Sequence, residues 1–146
     1  MQSSPPAVLV AEDVDDDLER LVVALAQAGF AVEGARDGDE LLDLLDAVAP
    51  SVVVLEADLP SIGGMEVCRR IRLRSDALVL AISARQPHPD LVSLLEVGAD
   101  GYLERVDRLH ELVARVRALL RRRGVMLPAG NHGAKRGGSG PDLIAR

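Results

Sequence analysis

VVVLEADLPSIGGMEVCRRIR, residues 52–72, decides the fold. It opens on an unbroken apolar run, Val52–Leu55, of the kind found in strands buried on both faces of a parallel sheet. Glu56 follows the run directly. After Gly63-Gly64, the residues Met65, Cys68 and Ile71 recur at helical spacing and predict an amphipathic helix. The stretch therefore reads as strand, turn and helix, with a carboxylate at the carboxyl end of the strand.

Four more units of this kind lie on either side. Apolar runs at Ala7–Ala11, Phe30–Glu33, Leu78–Ile82 and Gly101–Leu103 predict the remaining strands. Leu18, Leu21, Val22 and Leu25 form one helical stripe, ended by Gly29. Leu41, Leu44, Leu45 and Val48 form another, ended by Pro50. Leu91, Leu94 and Leu95 precede Gly98. Leu109, Leu112, Val113, Val116, Leu119 and Leu120 make the longest stripe. Glycine after a helical run is a C-terminal cap signal. Strict alternation of strand and helix predicts an α/β fold with a doubly wound, five-stranded parallel sheet. Five units in about 120 residues favour the flavodoxin-like strand order 2-1-3-4-5 over a barrel, with the functional crevice at the carboxyl ends of strands 1 and 3. Residues 1–6 read as a tail, 7–123 as the folded domain, and 124–146, rich in glycine and without apolar period, as a flexible linker or tail.

The chain of 146 residues suits one domain with tails, and its hydrophobic content of 48% suffices for a core. That core is aliphatic, because there is one Tyr, one Phe and no Trp. No apolar run is long enough to span a bilayer, and no basic region precedes the first apolar stretch. The single cysteine, Cys68, excludes an internal disulfide. These features predict a cytoplasmic protein. Residues 1–100 hold 19 acids and 7 bases, whereas residues 101–146 hold 4 acids and 10 bases. The acidic part does not suit direct nucleic-acid binding, which needs Lys and Arg for phosphate contact.

The fold rule gathers Glu12 and Asp13, after strand 1, with Glu56, after strand 3. Clustered carboxylates repel unless a cation sits among them, and Mg²⁺ is the natural one. Solvated strand ends, or caps of the next helix, account for such acids equally well. Asp15, Asp16 and Asp17 fit the latter role, since acids in a first turn complement the helix dipole. His88, His110 and His132 have no ligand spacing, and no nucleophile–base pair or nucleotide loop is visible, so no enzyme is predicted.

VLVAED (8–13), the stretch 52–72, LVLAISAR (78–85) and GADGYLERVDRLHELVARVRALLRR (98–122) together resemble the response-regulator receiver domains of two-component systems, over about residues 7–123. The last segment resembles the subfamily that carries a winged-helix DNA-binding domain after the receiver. The resemblance implies a CheY-like fold and a mechanism. An aspartate after strand 3 takes a phosphoryl group. The acid pair after strand 1 holds Mg²⁺. A Ser or Thr after strand 4 and a Lys after strand 5 bond the phosphate, and an aromatic on strand 5 turns inward. By this likeness Glu12 and Asp13 are the acid pair, Ser83 and Tyr102 the switch residues, and Asp58 the position that lends a carbonyl to the metal. The ion's ligands would come from Glu12, Asp13, Glu56 and Asp58.

The departures fall at the centre of that mechanism. Glu56 stands at the acceptor position, Arg105 at the lysine position and Val106 at the proline that follows it. The longer Glu56 side chain displaces its carboxylate by over ~1 Å, enough to cost about a hundredfold in phosphoryl transfer. The same displacement puts one negative charge near where a phosphoryl group would sit, and Arg105 could pair with it in bidentate fashion. The expectation is a receiver that works without phosphorylation and requires no cofactor, with Mg²⁺ optional. Glu56 either imitates the activated state or simply fills a disused acceptor site. In the resembled subfamily, charged residues such as Asp100, Arg115 and Arg117 make a two-fold dimer contact over helix 4, strand 5 and helix 5. The implied partners are a second copy, a histidine kinase or other regulator, and DNA through an output domain beyond residue 146, with no membrane. A stand-alone interaction module and a small-molecule-sensing receiver are the alternatives.

Overall fold

The structure, a computed structural model, describes residues 4–84, 89–104 and 108–127. Five strands alternate with five helices: β1 Ala7–Ala11, α1 Asp15–Gln27, β2 Ala31–Ala35, α2 Gly38–Val48, β3 Val52–Glu56, α3 Gly63–Arg74, β4 Leu78–Ile82, α4 Leu91–Glu96, β5 Gly101–Leu103 and α5 Leu109–Arg123. All pairings are parallel, in the order β2-β1-β3-β4-β5. This is the expected doubly wound sheet.

Side chains alternate between two cores because successive strand residues point to opposite faces. Leu9, Val53, Leu55, Val79 and Ala81 pack with α2, α3 and α4 on one face. Val8, Val10, Val52, Val54, Leu80 and Ile82 pack with α1 and α5 on the other. Hence β3 and β4 are buried at every position, which is what a continuous apolar run encodes. β2 is an edge strand, exposed on alternate residues, and it starts one residue later and ends two residues later than the apolar run predicts. Phe30 stands before it, buried in the α1–α5 core rather than paired in the sheet.

Two helical stripes are also corrected. On α3 the buried set is Gly64, Val67, Cys68 and Ile71, while Met65 is 38% exposed. α4 has six residues and buries Leu91 and Leu94, leaving Leu95 equally exposed. The reason on α3 is the entry geometry. A Cβ on Gly64 would lie 2.7 Å from the Ala57 carbonyl oxygen, so the first turn of α3 presses its backbone on the end of β3. Gly64 must face inward, which turns Met65 out. Gly63 has φ +72°, the left-handed region that suits glycine at this turn.

Candidate functional site at the carboxyl ends of β1, β3 and β4

Parallel register delivers the site. Ala11 of β1 pairs with Leu55 of β3, and Glu56 pairs with Ile82 of β4. Glu12, Glu56 and Ser83, the residues at or just past these strand ends, are the three buried polar residues among those described. Asp13 and Asp58 follow on the loops and are exposed.

Glu56 is held by main-chain donors from two different loops. Its Oε2 accepts the Asp58 N–H at 3.0 Å, and its Oε1 accepts the Ala84 N–H at 2.9 Å. The carboxyl group thus closes a cradle between the β3–α3 and β4–α4 connections. Two converging N–H groups suit an anion, because backbone dipoles aimed at one point act as a fixed positive charge. Ser83 lies beside this cradle. Its N–H donates to the Leu103 carbonyl at 3.1 Å, linking β4 to β5.

Glu12 is 1% exposed. Its Oε2 accepts the Val14 N–H at 2.9 Å, which ties the carboxyl to the entry of α1. Its Oε1 is sealed from solvent and has no donor. The Glu12 carboxyl is pushed up to about 8, first by burial and then by the neighbouring Glu56 and Asp13 carboxyls; the Val14 N–H works in the opposite direction. Burial therefore favours the protonated form of Glu12.

This arrangement does not match the donor set of a divalent ion. Among the described residues no group of three His, Cys, Asp or Glu side chains is placed to hold a metal. Glu12, Asp13, Glu56 and Asp58 stand near one another in the fold without forming such a group. Both Glu56 oxygens are engaged by main-chain N–H, and Asp13 and Asp58 stay in solvent.

The other candidate residues are dispersed. Arg105, Val106, His88 and His132 lie outside the described residues, and so does the pairing of Arg105 with Glu56. Tyr102 is half-buried against the α2–α4 core, and its carbonyl accepts from Arg115 at 3.0 Å. Asp100 is turned into its own chain: Oδ2 accepts the Val79 N–H at 2.8 Å and lies 3.8 Å from Arg72. Arg117 is not brought to the same face as Arg115. It reaches toward the Ala28 carbonyl at 3.4 Å and lines an open groove between α1 and α5. His110 is exposed, and Cys68 is buried in the core with its thiol pushed up by burial. Sequence reasoning missed the donors to Glu56 and Glu12, because they are backbone N–H groups that no residue type announces.

The chain belongs to the response regulator receiver domain family, whose model matches residues 8–117. It is 43% identical over 119 residues to Response regulator MprA of Mycolicibacterium vanbaalenii, covering 81% of this chain and 52% of that relative. It is 43% identical over 113 residues to Response regulator MprA of Mycobacterium avium, covering 75% and 50%. The chain thus spans about half the length of these curated relatives. Among solved structures it is similar to the receiver domain of Francisella response regulator 1452, with a TM-score of 0.73, 27% identity and coverage of 81% and 98%. A CheY-like receiver domain protein from Methanospirillum hungatei, at 20% identity and TM-score 0.76, covering 83% and 98%, shares the fold. Among the described residues no helix is long and apolar enough to cross a membrane.

Proposed function

We propose that this chain is the receiver of a transcription-regulating response regulator and signals without an acyl phosphate, Glu56 itself occupying the anion cradle. The observation that carries this reading is the pair of N–H donors, Asp58 and Ala84, spent on the two oxygens of Glu56. A nucleophile must present a free oxygen to an incoming phosphorus in near-attack geometry. Each Glu56 oxygen already accepts an N–H inside the cradle, and the donors that would receive a transferring anion are thereby filled. Its single charge against the roughly −1.5 to −2 of a phosphate makes it a weak, standing substitute.

The likeness to MprA over half of that relative's length, together with the winged-helix resemblance of residues 98–122, supports an output domain outside residues 7–123 and a role in transcription. The domain division at residues 6 and 123 belongs to this proposal. So does a dimer through α4, β5 and α5, where exposed Leu95 lines a surface hollow with Arg115 and Glu111, and Val92 is exposed on the same helix as Leu95. Such a contact rests on few apolar groups and on exposed ion pairs, so it is weak and salt-sensitive.

The test is incubation with a small phosphodonor and Mg²⁺, followed by intact mass. No stable phosphate adduct is expected on the natural chain, and Glu56→Asp is expected to gain one. A stable adduct mapped to Glu56 in the natural chain overturns the reading.

A further inference from the structure

Buried carboxylates are stabilised in three ways: a cation, a proton, or N–H donors. In a pocket with a divalent ion, two or more carboxylate oxygens turn toward one point. Here they do not. Glu56 directs both oxygens at main-chain N–H groups, Glu12 directs one at Val14, and the remaining Glu12 oxygen is sealed from water.

We infer that the acid pocket of this receiver excludes Mg²⁺, because the Glu56 side chain has withdrawn its ligand oxygens into the Asp58–Ala84 cradle and packed against Glu12. The inference deepens the proposed function and rests on the same reading of Glu56. Mg²⁺ demands near-octahedral oxygen ligands at about 2.0–2.1 Å and keeps several of its waters. A hydrated ion cannot reach Glu12 Oε1 without opening the pocket, since that atom has no solvent contact. To recruit Glu56 it would have to reach an oxygen already turned into the Asp58–Ala84 cradle and use the lone pair beside the N–H bond. Asp13 and Asp58 are left as exposed carboxylates on separate loops, which hold Mg²⁺ only weakly. Among the described residues no other group of carboxylates is placed to take the ion.

The exclusion follows from one methylene group, so Glu56→Asp should reverse it. The shorter side chain draws back from the two N–H groups and presents an oxygen toward Asp13. The experiment compares the natural chain with Glu56→Asp in chelator and in about 10 mM MgCl₂ at matched ionic strength. A Kd a hundredfold below that concentration would raise the thermal midpoint by about 10 °C. A second readout is selective broadening of the Asp13, Asp58 and Ala84 amide resonances by trace Mn²⁺, reversed by excess Mg²⁺.

The expected result is a natural chain indifferent to both ions and a Glu56→Asp variant that responds to both. A saturable midpoint rise, or Mg²⁺-reversible broadening, in the natural chain overturns the inference. If it comes without a phosphate adduct, the proposed function still stands. A phosphate adduct without any metal response overturns the proposed function alone. Indifference of Glu56→Asp also overturns the inference, because the exclusion would then not be due to Glu56.

Discussion

Glu12→Gln isolates the proton in the pocket. In the folded chain the Glu12 carboxyl is raised to about 8 from an ordinary 4.5. Between pH 5 and 7.5 the folded state therefore holds a proton that the unfolded state has released. Stability falls with rising pH wherever the native state binds more protons, by up to about 1.4 kcal/mol per pH unit for one group. The contribution is fully present below pH 4.5 and is lost as pH climbs toward 8. Over pH 5 to 7.5 the loss is roughly 3 kcal/mol. Glutamine keeps the shape, accepts the Val14 N–H through its carbonyl and offers an N–H to Glu56, yet does not titrate. The two proteins should match within about 1 kcal/mol at pH 5, and the variant should lead by roughly 3 kcal/mol at pH 7.5. Urea unfolding followed by circular dichroism across this range gives both curves, provided the m-values agree. Titrating groups not coupled to Glu12 cancel in the difference. Parallel curves would refute the reasoning, and so would a natural chain that gains on the variant as pH rises.

Glu56→Ala empties the cradle and leaves two main-chain N–H groups without their acceptor; a loss of about 2–3 kcal/mol is expected in the same urea assay, partly offset by relief at Glu12. Gly64→Ala forces a Cβ to within 2.7 Å of the Ala57 carbonyl oxygen and 2.9 Å of the Ala57 Cα, contacts with backbone that cannot swing aside. A cost of about 2 kcal/mol or more is expected, seen as a lower thermal midpoint. Asp100→Ala removes the acceptor of the Val79 N–H and the partner of Arg72, and should cost about 1–2 kcal/mol, nearly all from the main-chain bond. If Asp100 instead acts chiefly between copies, its replacement will change elution against salt while leaving the monomer's midpoint in place.

The fold was legible because both periodicities were clean. β3 and β4 are buried at every position, so Val52–Leu55 and Leu78–Ile82 could be only interior strands. β2 was the weak point, since an edge strand needs no apolar residue on its open face and Phe30 belongs to the neighbouring core. Met65 misled for a different reason: helical spacing says which residues share a face, not which face a glycine contact turns inward. The site was half legible. Glu12 and Glu56 were found as acids at strand ends, a signal that depends on topology alone. Their partners are main-chain N–H groups of Val14, Asp58 and Ala84, and any residue but proline supplies one. The charged residues Asp100, Arg115 and Arg117 were grouped by the family likeness, but helix rotation sends Arg115 toward β5 and Arg117 toward α1.

The change at residue 56 alters the whole pocket through charge balance. An aspartate at the end of β3 would leave the cradle open and the acids mutually repelling, a state that needs an ion at rest and a phosphoryl group to fill the donors. One more methylene lets the side chain fill the donors itself. Burial favours the protonated form of Glu12, which avoids a second buried charge. Both adjustments remove the reason for an external ligand. They also make permanent the links from Glu56 to the β3–α3 and β4–α4 connections, which lead directly into α3 and α4. If Glu56 stands in for the phosphoryl group as proposed, a signal acting on this receiver works by breaking those two links or by changing what α4, β5 and α5 touch.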